Sequence, residues 1–365
     1  MAELESKSTF TGQFTVQFTG QCPAPINSNE RVQLAHGGGG KLTQQLIDNV
    51  FLPHFSNAAL NQQGDGAVLD VGSQKLVFST DSYVINPLFF PGGDIGSLSV
   101  SGTVNDLAMM GATPKYLSLG LIIEEGFLLS DLDTVVASIA SEAKKAGVQV
   151  VTGDTKVVDK GHGDGLYINT AGIGVIEHNQ VITPAQITPG DKIILSGDIG
   201  RHGMCILSQR EGLSFNSELT SDVASVHQPV LALTSAGVVL HCMRDLTRGG
   251  LATSLLELAQ TSALSFTLNS DVIPVSNEVQ AIGELLGIDP LYVANEGRFV
   301  IIAPPEQEQS ILDILATYDA TQGAITIGEV VTPKPGEEGL VSIMNAYGVP
   351  RALSMLSGEQ LPRIC

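Results

Sequence analysis

Cysteine is scarce in this 365-residue chain, with four residues at Cys22, Cys205, Cys242 and Cys365. None forms a CxxC pair, so a disulfide scaffold is not indicated and a reducing compartment, the cytoplasm, is expected. No apolar run approaches the ~18 residues that a membrane span needs. The first residues, Met1 to Gln21, lack a cationic region followed by an apolar block, so no secretory signal is expected. Positive charge is also in short supply: 18 Lys and Arg stand against 38 Asp and Glu, a net charge of −20. So acidic a surface repels phosphate backbones and argues against nucleic acid and membrane partners. It leaves ATP admissible, because Mg²⁺ bridges carboxylates to phosphates. His202, His227 and His241 have no metal-ligand spacing, and no His/Cys cluster points to zinc. No repeat of fixed short period is evident.

What is present is an ordinary globular composition, 43% hydrophobic and 15% charged, long enough for two or three domains. Residues 1–30 read as an N-terminal extension, in which Phe10, Phe14, Val16 and Phe18 partly alternate with polar residues, a pattern that fits an extra strand and equally a floppy segment. Helices are predicted over Lys41–Phe51, stopped by Pro53, over 94–111, and from an N-cap at Ser130 to a stop at Gly147. Apolar runs at Gln74–Thr80 and Val148–Thr152 read as strands delivering Asp81 and Asp154 at their ends, and Tyr167–Val175 as a further strand. The polar stretch Thr183–Asp191 is the expected domain boundary. Beyond it strands are predicted at 192–196, 298–303 and 324–331, and helices near 202–211, 221–236, 276–286, 306–318 and after Gly250. The interleaving has no regular βα period, so the fold class is α+β, with domains over 31–182 and 183–345. Residues 346–365 read as a mobile tail.

Several aspartates stand in small-residue contexts: Asp65, Asp81, Asp106, Asp154 and Asp245. Singly, each is explained by the preference of Asp for turns. Together, on separate loops, they are the oxygen donors that Mg-ATP takes. The run Gly37-Gly38-Gly39-Gly40-Lys41 precedes a helix, which suits both a flexible loop and a phosphate cradle. It is not a Walker A loop, since Ala35 replaces the first glycine and Leu42 the Ser or Thr. Gly249-Gly250 offers a second contact of that kind. For Lys156 and Glu296 the residues alone support no more than surface charges.

Cys365 ends the chain, so prenylation, which needs the cysteine fourth from the end, is excluded. An incidental thiol is one reading. A thiol on a loose arm, stiffened by Pro362, that visits a partner and folds back is the other.

The segments Leu34–Lys41, Phe78–Tyr83, Asn105–Ala108, Thr152–Lys156, Arg244–Gly250 and Asn295–Gly297, with the terminal Pro362-Arg363-Ile364-Cys365, resemble the HypE carbamoyl dehydratases of nickel–iron hydrogenase maturation. The ATP segments alone point to the wider superfamily of aminoimidazole ribonucleotide synthetase and selenophosphate synthase, and the terminal sequence narrows it. The resemblance implies two α/β domains of the synthetase type, with N-terminal domains pairing across a homodimer to close a barrel. It implies ATP and Mg²⁺ as cofactors, with Asp65, Asp81, Asp106, Asp154 and Asp245 the site carboxylates and Asp81, Asp106 and Asp245 on the metal. A carbamoyltransferase, HypF, would load Cys365. The carbamoyl group would be dehydrated to a thiocyanate with Lys156 and Glu296 orienting and deprotonating it, and the cyanide passed to a HypC–HypD complex. Two other functions are weighed. A selenophosphate synthase needs a reactive Cys beside the glycine run, and Cys22 is separated from it. A carrier that only presents Cys365 has no use for a Mg-ATP site.

Overall fold

The computed structural model describes residues 32–212, 219–336, 338–345, 347–356 and 364–365. The expected extension 1–30 lies outside the described residues, as do Pro362 and Arg363 of the tail. The body, Leu34–Cys365, contains two main sheets. The first has five strands, in the order Ala67–Val71, Gln74–Tyr83, Leu166–Ile176, Thr113–Glu124, Gln149–Val158. All neighbours are antiparallel except the last pair. The second has seven, in the order Pro350–Ala352, Val341–Met344, Ser265–Asn269, Ile325–Val331, Lys192–Leu195, Phe299–Ala303, Cys242–Asp245.

Helix Ile95–Met109 is the hub. Asp94 caps it, accepting from the Gly96 and Ser97 N–H groups at 2.7 and 3.0 Å while Ser97 Oγ accepts from the Asp94 N–H, a reciprocal capping box. Nearly every side chain on it is buried, small residues included, because one side packs on the first sheet and the other on the second half of the chain. Helix Leu129–Ala146 covers the same sheet face with Val135, Ile139 and Ala143, and ends at Gly147 in the left-handed conformation. The opposite face of that sheet is open: Phe78, Tyr116, Ile122 and Ile173 are each 39–48% exposed. Among the described residues no helix is long and apolar enough to cross a membrane.

Several local expectations are corrected. Asp81 and Asp154 sit inside long strands, Gln74–Tyr83 and Gln149–Val158, and not at strand ends. Leu128, in extended conformation, takes the N-cap position assigned to Ser130. Helical turns continue past Pro53 to Phe55, because Ile47–Phe51 wind as a wider π-helix, in which the Leu52 N–H donates to the Ile47 carbonyl, and this turn accommodates the proline. The predicted helix 221–236 begins only at His227. Within the tail expected to be mobile, Pro350–Ala352 pairs antiparallel with Val341–Met344, Leu353 is buried, and Ile364 bridges Ile85.

Candidate active site

Four carboxylates converge where the first sheet, its hub helix and one edge of the second sheet meet. Asp81 comes from the helix-covered face of Gln74–Tyr83 and Asp106 from the hub helix. Asp245 is the last residue of Cys242–Asp245, and Asp65 precedes Ala67–Val71. Ser79 shares the face of Asp81, with Oγ 2.6 Å from Asp106 Oδ2 and 2.9 Å from the Asp65 carbonyl. Burial raises the Asp65 and Asp106 pKa values and that of Asp245 to about 8, and repulsion from neighbouring aspartates adds to the effect at Asp106 and Asp245. Arg244 opposes it, with Nε 2.8 Å from Asp65 Oδ1 and Nη2 2.7 Å from Glu257 Oε2.

Asp65 Oδ2 is nevertheless buried with no partner among the described residues. A bare carboxylate oxygen beside like charges is what a divalent cation relieves, and an all-oxygen donor set is what Mg²⁺ takes. The residues therefore fit the ion. They are not a finished cage: among the described residues no three candidate ligands already converge as a metal site, so Asp81, Asp106 and Asp245 do not form a preformed triad. Beside the cluster a cavity of about 430 Å³ is walled by Ile47, Phe51, Leu60 and Phe78, with Asp65 and Arg244 at its polar side.

Glu296 stands on the other side of the cluster, 3% exposed, in the turn before strand Phe299–Ala303. Its position is imposed through the backbone: its N–H and that of Gly297 donate to the Asp222 carboxylate, and Asn105 Nδ2 donates to its carbonyl. Among the described residues its Oε1 has no partner. Burial first, then Asp245, Asp81 and Asp222, push its pKa well above the usual carboxylate value.

The chain's last residue lies in the same place. The Cys365 carbonyl accepts from the Val84 N–H at 2.9 Å, one residue beyond the strand that carries Asp81. The thiol pKa is raised by burial, lowered by Arg248 and raised again by Glu296, Asp81 and Asp245, so the sulfur is a neutral thiol among these groups. Arg248 joins the parts: its guanidinium is 3.8 Å from Asp81 Oδ1 and donates to the Gly37 carbonyl at 3.3 Å.

The glycine run is close to this centre. Gly39 has φ +75°, and a Cβ there would stand 2.8 Å from Arg248 Cβ, so only glycine fits. The Gly40 carbonyl accepts from the Gln44 N–H, and the Lys41 N–H donates to the Leu356 carbonyl. Gly38 N–H donates to the Ala35 carbonyl. Gly249 and Gly250 are explained without an anion: both have positive φ, and a Cβ on Gly250 would meet the Val293 carbonyl oxygen at 2.6 Å.

Asp65, Asp81, Asp106, Asp245, Glu296 and Cys365 are thus brought together, and Asp154 and Lys156 are not. These two pair with each other at 2.9 Å, 72% and 70% exposed. Asp154 registers with Gly120 and Lys156 with Ile122, positions whose partners Asn169 and Tyr167 alternate with the inward Ile168 and Thr170. Side chains alternate along a strand, so both point from the open face of the sheet, opposite to Asp81. Sequence reasoning overlooked Arg248, although it lies within the Arg244–Gly250 segment. It also gave no role to Arg244, Asn105, Asp222 and His202, the last three because their roles arise only from long-range contacts.

Comparison with known proteins identifies the family of the chain. Residues 63–176 match the N-terminal domain of the AIR synthase related proteins, and 188–341 the C-terminal domain. The carbamoyl dehydratase HypE of Azotobacter vinelandii is 47% identical over 337 residues, 92% of this chain and 98% of that relative. A HypE–HypF complex structure is similar with TM-score 0.80 and 40% identity, over 85% of this chain and 99% of the other. A hydrogenase maturation protein HypE in complex with ATP has TM-score 0.77 and 45% identity, over 92% of this chain and all of the other, 100%. With two AIR synthase-like domains in an α+β fold and this level of identity along nearly its whole length, the chain belongs to the HypE carbamoyl dehydratase family of hydrogenase maturation proteins.

Proposed function

We propose that this chain uses ATP to dehydrate an S-carbamoyl group on its own Cys365 to a thiocyanate, the source of a cyanide ligand for hydrogenase iron. The observation that carries the residue assignment is the seating of the Cys365 thiol among Arg248, Glu296, Asp81 and Asp245. A carrier that merely displayed its terminal thiol would gain nothing from placing it there, half-buried against the core.

The carboxamide oxygen attacks the γ-phosphorus of ATP and the bond to ADP breaks. Phosphate is a far better leaving group than oxide, so the C–O bond then breaks as the two nitrogen protons are lost, leaving S–C≡N. The net change moves one water from the carbamoyl group to ATP. Glu296 is the proton acceptor: its raised pKa makes it a stronger base than an ordinary glutamate, and its free Oε1 can take the proton. Arg248 offsets charge near the sulfur and the phosphate. Asp81, Asp106 and Asp245, with Asp65, would hold Mg²⁺, which neutralises polyphosphate charge when bound. The apolar cavity lined by Phe51, Leu60 and Phe78 has the size and walls for a nucleotide base. The glycine run Gly37–Gly40 with Lys41 borders the same site through Arg248 and suits the phosphates.

Asp154 and Lys156 enter this scheme from a second copy of the chain. The apolar open face of the five-stranded sheet would pair with its twin in a homodimer, and each Lys156 would serve the partner's carboxamide. The carbamoyltransferase HypF and a HypC–HypD complex are the expected donor and acceptor, in the cytoplasm, and the HypE–HypF complex of a relative supports the first. Residues 31–182 and 183–345 are the two proposed domains. Mass spectrometry of the C-terminal peptide, after incubation with carbamoyl donor, transferase and Mg-ATP, is the test. A loss of ~18 Da from carbamoylated Cys365 is expected for dehydration, and modification at Cys205 or Cys242 instead refutes the assignment.

A further inference from the structure

His202 is fully buried at the start of helix Arg201–Arg210, and no part of the chemistry above calls on it. Its Nε2 bonds to the Ile364 carbonyl, one residue before the reactive cysteine, and its Nδ1 is 2.8 Å from Ser221 Oγ. A carbonyl only accepts, so Nε2 must carry the hydrogen. Burial lowers the His202 pKa and favours the neutral ring, in which Nδ1 is then a lone pair and Ser221 must donate to it. Two backbone contacts fix Ser221 in place for that donation. Its Oγ accepts from the Val223 N–H at 3.2 Å, and its own N–H donates to the Pro91 carbonyl at 2.8 Å. Phe90 packs edge-on against the imidazole, with ring centroids 5.5 Å apart.

The same elements hold the base. Asp222, next to Ser221, receives the Glu296 and Gly297 N–H groups. The helix bearing His202 is tied to the other side of that turn, with the Gly200 N–H donating to Asn295 Oδ1 at 2.6 Å and the Gly203 N–H to the Ala294 carbonyl at 3.0 Å. One rigid frame therefore grips both the tail and Glu296.

We propose that His202, with its tautomer set by Ser221, is the positioning residue that latches the Ile364–Cys365 dipeptide in register with Glu296. The latch is a neutral hydrogen bond to the backbone, so it holds the tail whatever group the sulfur carries, and it releases without breaking an ion pair. This deepens the reading of Cys365 as the acceptor and rests on it for its effect on turnover. Its effect on thiol access stands without that reading.

Iodoacetamide alkylation of the full-length protein, without nucleotide and resolved by peptide mass mapping, reads the latch directly. His202→Leu should speed alkylation of Cys365 by about tenfold, which equals about 1.4 kcal/mol, the scale of one hydrogen bond. Ser221→Ala, which leaves the ring in place but frees its tautomer, should give a smaller rise in the same direction. His202→Gln, which keeps an N–H donor, should recover part of the protection. On pre-carbamoylated protein, kcat for thiocyanate formation should fall in His202→Leu with the KM for ATP unchanged. An unchanged Cys365 rate in both His202→Leu and Ser221→Ala overturns the proposal. So does a rise shared equally by buried Cys205 and Cys242, which marks general loosening. Failure of Cys365 to carry a carbamoyl group would instead fault the functional reading.

Discussion

Replacing Glu296 by Gln should have opposite effects on catalysis and on stability. The side chain is almost wholly buried, Oε1 lacks a partner among the described residues, and Asp245, Asp81 and Asp222 all disfavour its charge. Gln keeps the shape and removes the base. General-base catalysis contributes about 10²–10⁴ in rate, so single-turnover thiocyanate formation at saturating ATP should slow by that factor, about 2.7–5.5 kcal/mol in barrier. Mg-ATP affinity should change little. For stability, the folded-state pKa is raised, so the folded protein binds more protons at this site than the unfolded chain does. Its stability therefore falls as pH rises from the ordinary value of 4.5 through the raised folded value. Gln escapes that loss. In urea unfolding without nucleotide, the variant should match the parent near pH 4 and exceed it at pH 8. Turnover within about threefold of the parent would remove Glu296 from the chemistry. A variant less stable than the parent at pH 8 would show that the carboxylate is not under electrostatic strain.

Asp81→Asn and Asp245→Asn should each weaken Mg-ATP binding by roughly tenfold to a hundredfold in calorimetry, while leaving carbamoylation of Cys365 intact. Unchanged affinity in both variants would displace the site. Mixing Lys156→Ala with Glu296→Gln protein should regenerate activity at about one quarter of the sites if Lys156 acts across a dimer, and none if it acts within its own chain. Tyr116→Glu with Ile122→Glu, on the open sheet face, should yield a folded monomer by analytical ultracentrifugation. A dimer that survives both charges pairs through another surface.

Most of the residues that meet at the candidate site stand out along the chain because aspartates in small-residue settings, a glycine run and a terminal cysteine are local features. The hub helix was legible in outline, but its encasement on both sides was not, since its small residues carry no amphipathic stripe. Strand Thr113–Glu124 went unread because proline at its second position and glycine midway obscure its alternation. The tail's Gly, Pro and Ser content suggested mobility, whereas Pro350–Ala352 joins a sheet edge and Ile364 enters the core.

The sequence by itself pointed to the kind of chemistry: aspartates of the type that takes a metal nucleotide, a thiol on the last residue and a large excess of negative charge. Tertiary structure alone decided which of those groups meet. Asp81 and Asp154 look alike in sequence, each within a β-strand of the same sheet. They part company because side chains alternate along strands, and register places Asp81 beside Thr170 under the hub helix while Asp154 falls beside Gly120 on the open face. His202 and Asp222 became site residues only when chain segments distant in sequence closed on Ile364 and Glu296. Such contacts depend on packing geometry across the whole body, which no local pattern encodes.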